Sequence, residues 1–157
     1  MDERVPIAVT VNGVLHDAEV EPRMHAADFL RGVLGLTGTH VGCEQGVCGM
    51  CTVVLDDRAV KSCLLLAPQL DGHRVDTVEG LAGDDGLTPL QESFRDAHAL
   101  QCGFCTPGFL MTATALERTG RRGLTRDEIR EEIAGVLCRC TGYEGIVTAL
   151  ERHLADG

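Results

Sequence analysis

Eight cysteines among 157 residues fall into two quartets, Cys43, Cys48, Cys51 and Cys63, then Cys102, Cys105, Cys138 and Cys140. The first quartet reads C-x4-C-x2-C, with a fourth cysteine after eleven further residues. That spacing holds a [2Fe-2S] cluster. Two quartets on one chain predict a carrier of two clusters. Such clusters pass single electrons and do little else to substrates, so the expected role is relay rather than catalysis.

Three other uses of the thiols compete. Disulfides need an oxidising compartment. The opening Met1-Asp2-Glu3-Arg4 has no basic n-region and no apolar h-region, which predicts no export and a cytoplasmic location. Structural zinc accepts four thiolates, and Cys102-x2-Cys105 alone would suit it. Zinc sites usually pair two such knuckles, however, whereas the first quartet packs three cysteines into one loop and takes its fourth from farther on. Unligated core cysteines would not gather beside so many glycines.

The composition is that of an ordinary globular protein, 44% apolar and 24% charged, with no long apolar run to span a membrane. Fourteen Lys and Arg stand against 24 Asp and Glu, a net charge of -10. Nucleic acid and anionic lipid are therefore poor partners, because phosphate binding leans on clustered cations. The one basic knot, Arg121-Arg122, reads as a solvated loop. With four Phe, one Tyr and no Trp, two halves of this chain would each have a thin core. A metal cluster in each would act as its staple.

The elements that must position the cysteines divide by texture. Residues 1–80 read as strand-rich, 81–88 as a polar linker holding Gly83, Asp84, Asp85 and Gly86, and 89–157 as helical. In the first half Val5, Ile7, Val9 and Val11 alternate, Asn12-Gly13 signals a hairpin, and Val14 to Val20 returns. A helix is expected next, with Ala27, Leu30 and Val33 or Leu34 on one face and Gly35 at its end. Gly38, Gly42, Gly46 and Gly49 then surround three cysteines, where close backbone approach lets amides point at cluster sulfur. A second hairpin, Thr52–Leu55 and Arg58–Ser62 about Asp56-Asp57, returns the chain and carries Cys63 back beside Cys51.

Four helices are predicted in the second half. Thr88-Pro89-Leu90-Gln91 opens one that turns Leu90, Phe94 and Ala97 inward, and Thr106-Pro107 begins the most apolar, ending at Gly120. Thr125-Arg126-Asp127-Glu128 caps a third, with Ile129, Ile133 and Val136 inward. The fourth carries Ile146, Val147, Leu150 and Leu154 on one stripe. In an antiparallel four-helix bundle the first and third connections lie at the same end. Those connections hold Cys102 and Cys105, and Cys138 and Cys140, so they should converge on one four-thiolate site.

Three runs, Gly42-Cys43-Glu44-Gln45-Gly46-Val47-Cys48-Gly49-Met50-Cys51, Gln101-Cys102-Gly103-Phe104-Cys105-Thr106-Pro107-Gly108 and Cys138-Arg139-Cys140-Thr141-Gly142-Tyr143, resemble the signatures of the small iron-sulfur subunit of xanthine dehydrogenase and aldehyde oxidase type molybdenum hydroxylases. Met50 stands where alanine is more usual. The resemblance implies an α+β chain: an N-terminal plant-type ferredoxin-like β-grasp domain and a C-terminal four-helix bundle. It implies a large subunit with molybdopterin and a medium subunit with FAD, assembled as a heterotrimer or a dimer of heterotrimers. It also implies two [2Fe-2S] clusters with all eight cysteines as ligands, Cys43 and Cys48 on one iron and Cys51 and Cys63 on the other. Gln101 and Cys140 would lie nearest the pterin. Electrons would pass from molybdenum through the second quartet, then the first, to FAD. A free-standing two-cluster ferredoxin, a zinc-stapled adaptor and the subunit of a dearomatising reductase are the alternatives.

His40, three positions before Cys43, reads as a loop histidine because each site already has four thiolates. His16, His25, His73, His98 and His153 form no pattern. Arg139 either tunes cluster charge or projects outward, and Gln101 alternatively bonds its own loop. No nucleophile-base pair, phosphate loop or carboxylate dyad is present, so no substrate site is expected on this chain.

Overall fold

The computed structural model describes residues 3–83 and 86–155. The opening Met1-Asp2 and the linker positions Asp84 and Asp85 lie outside them. Among the described residues the first half is a five-stranded mixed sheet in the order β2-β1-β5-β3-β4. Strands β1 (Val5–Val11) and β2 (Val14–Val20) pair antiparallel, Val11 opposite Val14, across Asn12-Gly13. Both turn residues adopt positive φ, 50° and 80°, as a two-residue turn between twisted strands requires. Strands β3 (Thr52–Leu55) and β4 (Arg58–Lys61) close in the same way over Asp56 and Asp57, at φ 45° and 72°. Strand β5 (Arg74–Asp76), which no alternation in the sequence marks, pairs parallel with β1 and antiparallel with β3 and joins the hairpins into one sheet.

The helix expected after β2 is shorter and wider than its periodicity suggested. One α-turn, α1 (Ala26–Asp28), runs straight into a π-turn at Phe29–Val33, where the Leu34 N–H donates to the Phe29 carbonyl five residues back. The wider turn rotates the following residues. Val33 ends exposed, Leu34 packs on the core, and Phe29 and Leu30 are fully buried.

The second half contains α2 (Pro89–Asp96), α3 (Thr106–Arg118), α4 (Arg126–Ile133) and α5 (Glu144–His153). The capping boxes at Thr88/Gln91 and Thr125/Glu128 form as expected. Inward residues from all four helices, among them Leu90, Phe94, Phe109, Ile129, Ile133, Ile146 and Leu150, make one apolar core. Helix α2 packs on α5, α4 packs on α5, and α3 lies against β3 of the sheet.

The two halves are joined by side chains, ions and bare backbone. Val54 of β3 packs on Met111 and Ala115 of α3, with Val78 and Leu81 beside them. Leu81, placed by the sequence in a linker, is thus part of the packing. Arg118 of α3 pairs with Asp76 of β5. Tightest is the glycine contact: a Cβ on Gly49 would lie 2.1 Å from the Gly135 carbonyl oxygen, and one on Gly108 would lie 2.5 Å from the Gly49 carbonyl oxygen. Gly49 also has φ +71°.

Gly49→Ala therefore adds a strained φ to a backbone clash. It should destabilise the protein by about 3 kcal/mol or more, read as a thermal midpoint roughly 6–12 °C lower. Gly32→Ala, in open space at an ordinary φ, should change the midpoint little; equal effects at both positions would contradict the contact.

Candidate metal centres

The first cysteine quartet is assembled by a glycine-rich loop and a hairpin. Arg31 clasps the loop from outside, donating to the Thr37 and Thr39 carbonyls at 2.8 Å each. Cys43 Sγ accepts from the Cys48 N–H at 3.3 Å and the Gln45 N–H at 3.4 Å. These amides, Cys48 first, hold its thiol down at about 7. The β3–β4 hairpin brings Ser62 against Cys51, whose carbonyl accepts from the Ser62 N–H and hydroxyl at 3.2 and 2.8 Å. Cys63 is thereby returned to Cys51, and the two side chains hydrogen-bond each other. Burial, with Cys51 adding to it, pushes the Cys63 thiol up to about 11.

The second quartet is assembled by the two helix connections, which meet as expected. Cys140 Sγ and Cys102 Sγ lie 3.5 Å apart on an exposed edge, and their contact raises the Cys140 thiol. Cys105 and Cys138 pair beneath them in the buried layer. Burial, then Cys138, drives Cys105 up to about 12. Burial also works against ionisation of Cys138, but the Thr141 hydroxyl and amide and the Cys140 amide outweigh it and leave that thiol lowered. Among the described residues no three Cys, His, Asp or Glu side chains enclose a single ion. The sulfurs approach in twos: Cys43 with Cys48, Cys51 with Cys63, Cys102 with Cys140, and Cys105 with Cys138.

Three features of these centres escaped the sequence. The Leu137 N–H donates to the Cys48 carbonyl at 2.9 Å, so one hydrogen bond links the backbone beside Cys138 to a cysteine of the first quartet. The Tyr143 hydroxyl accepts from the Cys138 N–H at 2.9 Å, with the ring edge-on to Phe109. His40 stacks on Phe104 at 4.7 Å. Their signals, a tyrosine directly after the glycine of a turn and a histidine before a cysteine, were present but could not be given a partner from one sequence. Gln101 Nε2 donates to the Cys140 carbonyl at 3.1 Å, tying the two connections together. No bond or ion pair of the Arg139 side chain appears among the described contacts.

Two family models match the chain: a 2Fe-2S iron-sulfur cluster binding domain over residues 9–82 and a [2Fe-2S] binding domain over residues 77–151. A beta subunit of the 6-hydroxypseudooxynicotine dehydrogenase complex of Paenarthrobacter nicotinovorans is 55% identical, over 91% of this chain and 89% of its own. The caffeine dehydrogenase gamma subunit of a Pseudomonas strain is 53% identical, over 92% and 88%. The chain belongs to the iron-sulfur small subunits of the molybdenum hydroxylases. Among solved structures, quinoline 2-oxidoreductase of Pseudomonas putida superposes with TM-score 0.90 at 53% identity, over 94% of this chain and 91% of that one. Aldehyde oxidoreductase of Desulfovibrio gigas gives 0.88 at 38% identity over 94% of this chain, but only 16% of its own. The small-subunit fold thus occurs both as a separate chain and as part of a far longer one. No helix among the described residues is long and apolar enough to cross a membrane.

Tyr143→Phe keeps the ring against Phe109 but leaves the Cys138 N–H without its acceptor. An orphaned buried donor costs about 1–3 kcal/mol. The variant should show that loss in its thermal midpoint, and an unchanged midpoint would mean that the Tyr143 hydroxyl is not holding Cys138.

Proposed function

We propose that this chain is the electron-transfer subunit of a heteromeric molybdenum hydroxylase, with Cys43, Cys48, Cys51 and Cys63 holding one [2Fe-2S] cluster and Cys102, Cys105, Cys138 and Cys140 the other. The observation that carries it is the pairing of thiols within each quartet, which matches a centre where each of two irons takes two cysteines. The first pairing agrees with the expectation that Cys43 and Cys48 share one iron and Cys51 and Cys63 the other. The donor groups also fit. Amides of Gln45 and Cys48 face Cys43, and the Thr141 amide and hydroxyl face Cys138. Among the described residues two buried hydroxyls, Thr39 Oγ1 and Thr106 Oγ1, have no partner, and Thr106 directly follows Cys105. Sulfur at the cluster would accept from such a donor, relieving a penalty of about 1–3 kcal/mol.

When bound, each cluster takes up and releases one electron at a time. The chain's own residues set the route. The Cys102 and Cys140 edge is exposed, and Gln101 fixes its carbonyl frame; with Gln101, it is the edge we assign to the pterin of the large subunit. The buried Cys105 and Cys138 layer leads inward, and the Leu137–Cys48 hydrogen bond joins it to the first quartet. Cys43, partly exposed, marks the side we assign to FAD in the medium subunit. The helical half, residues 89–157, is read as a four-helix bundle docked on a β-grasp domain of residues 1–80. The chain itself carries no substrate site, and the assembly is cytoplasmic. Relatives more than 50% identical are named for 6-hydroxypseudooxynicotine, caffeine and nicotine, and a solved relative for quinoline. We infer that the assembly acts on an N-heteroaromatic ring.

Metal analysis should give about four irons and four acid-labile sulfides per chain, with two distinct paramagnetic centres on full reduction. Replacing Cys102 by serine should abolish substrate-to-acceptor turnover while FAD remains bound. Full turnover in that variant refutes the relay.

A further inference from the structure

We propose that His40 is a positioning residue that fixes the loop bearing Cys102 and Cys105 against the loop bearing Cys43, and so sets the spacing of the two sulfur sites. The inference rests on the cluster-binding reading above for its consequence, but its geometry stands alone. His40 lies three residues before Cys43, and Phe104 lies between Cys102 and Cys105, 64 residues away in sequence. The imidazole stacks on the Phe104 ring with centroids 4.7 Å apart and planes 10° from parallel. Its Nδ1 lies 2.8 Å from the Phe104 carbonyl oxygen. A carbonyl only accepts, so Nδ1 carries the proton in this bond. The same residue is therefore gripped twice, through its ring and through its main chain, which fixes its orientation as well as its distance.

The need for that grip follows from how the second quartet is built. Its cysteines come from two separate connections, and each must be located relative to the first quartet. The connection with Cys138 and Cys140 is located by backbone, through the Leu137–Cys48 hydrogen bond. Among the described residues the connection with Cys102 and Cys105 has no such backbone bond. It turns at Gly103, φ +82°, where a side chain would meet nothing within 4 Å. Among the described residues, the bond from His40 is the one hydrogen bond between this loop and the first half. Gly42 keeps the space open, since a Cβ there would lie 2.9 Å from Met50 Sδ and 3.2 Å from Cys48 Sγ, with Phe104 next at 3.6 Å.

The test uses the assembled, iron-loaded complex. In His40→Ala the iron content should match wild type, while hydrogen exchange in a peptide spanning residues 101–105 should be roughly tenfold faster, since both a hydrogen bond and a ring stack are lost. The paramagnetic signal of the second cluster should broaden or shift, and that of the first should not. His40→Asn, which keeps an N–H donor without the ring, should restore part of the protection and leave exchange about threefold faster. Exchange and signals equal to wild type in His40→Ala overturn the proposal. Should that variant not assemble, His40→Asn and His40→Phe each remove one attachment, and neither speeding exchange overturns it equally. Wild-type protein lacking two clusters would instead refute the cluster reading, while the exchange measurement still reports on His40.

Discussion

The whole arrangement depends on backbone meeting backbone at the seam between the halves. Gly49 sits between Cys48 and Met50, Gly108 opens α3, and Gly135 follows α4, so three segments from distant parts of the chain touch with no side chain between them. A Cβ on Gly49 or Gly108 would push the cysteine loop away from the helices, because it would fall inside van der Waals contact with the carbonyl of Gly135 or of Gly49. The approach is what lets the Leu137 N–H reach the Cys48 carbonyl. A protein that keeps two redox centres in one small chain must hold their separation fixed. Here unsubstituted main chain, which has no rotamers to fluctuate, supplies the part of that constraint that runs through Gly49, beside the hold of His40 on Phe104.

Electrostatics acts in the same direction. The chain carries a net charge of -10, and thiolates bound to iron add negative charge. Partial compensation comes from neutral hydrogen-bond donors rather than from lysine or arginine: the Cys48 and Gln45 amides lower Cys43, and the Thr141 hydroxyl with the Thr141 and Cys140 amides lowers Cys138. The buried thiols Cys63 and Cys105 are pushed the other way by desolvation, so without metal they remain neutral and are tolerated in the core. Under the proposed ligation, metal binding would take those protons away and so couple cluster insertion to the packing of both halves.

Legibility in the sequence followed the range of the interaction. Asn12-Gly13 and Asp56-Asp57 determine their turns by local sterics, and Thr88 and Thr125 determine helix starts through their own side chains. All of these were readable. The return of Cys63 beside Cys51 was also readable, because a short hairpin leaves Cys63 little choice of place. Strand β5 was not: three residues, Arg74–Asp76, carry one buried Val75 and no period. The helix template left Val33 and Leu34 as alternatives on the buried face, and the wider π-turn at Phe29–Val33 decides for Leu34. The contacts of His40, Tyr143 and Leu137 join positions far apart or use main-chain groups common to every residue, so no residue type announced them.

The exposure of the second quartet carries the last step. Cys102 and Cys140 are exposed while Cys105 and Cys138 are buried, so the site is open on one side only. Leu100, Phe104 and Leu137 are also exposed, and all three lie within two residues of a cysteine of this quartet. Water at an open cluster edge would screen its charge and raise the reorganisation that each electron transfer requires. Apolar side chains around that edge gain free energy only when another surface removes them from water. Under the proposed assignment of this edge to the large subunit, covering it would bury the apolar rim and dry the transfer route in one contact. Docking and electron transfer would then be served by the same few residues.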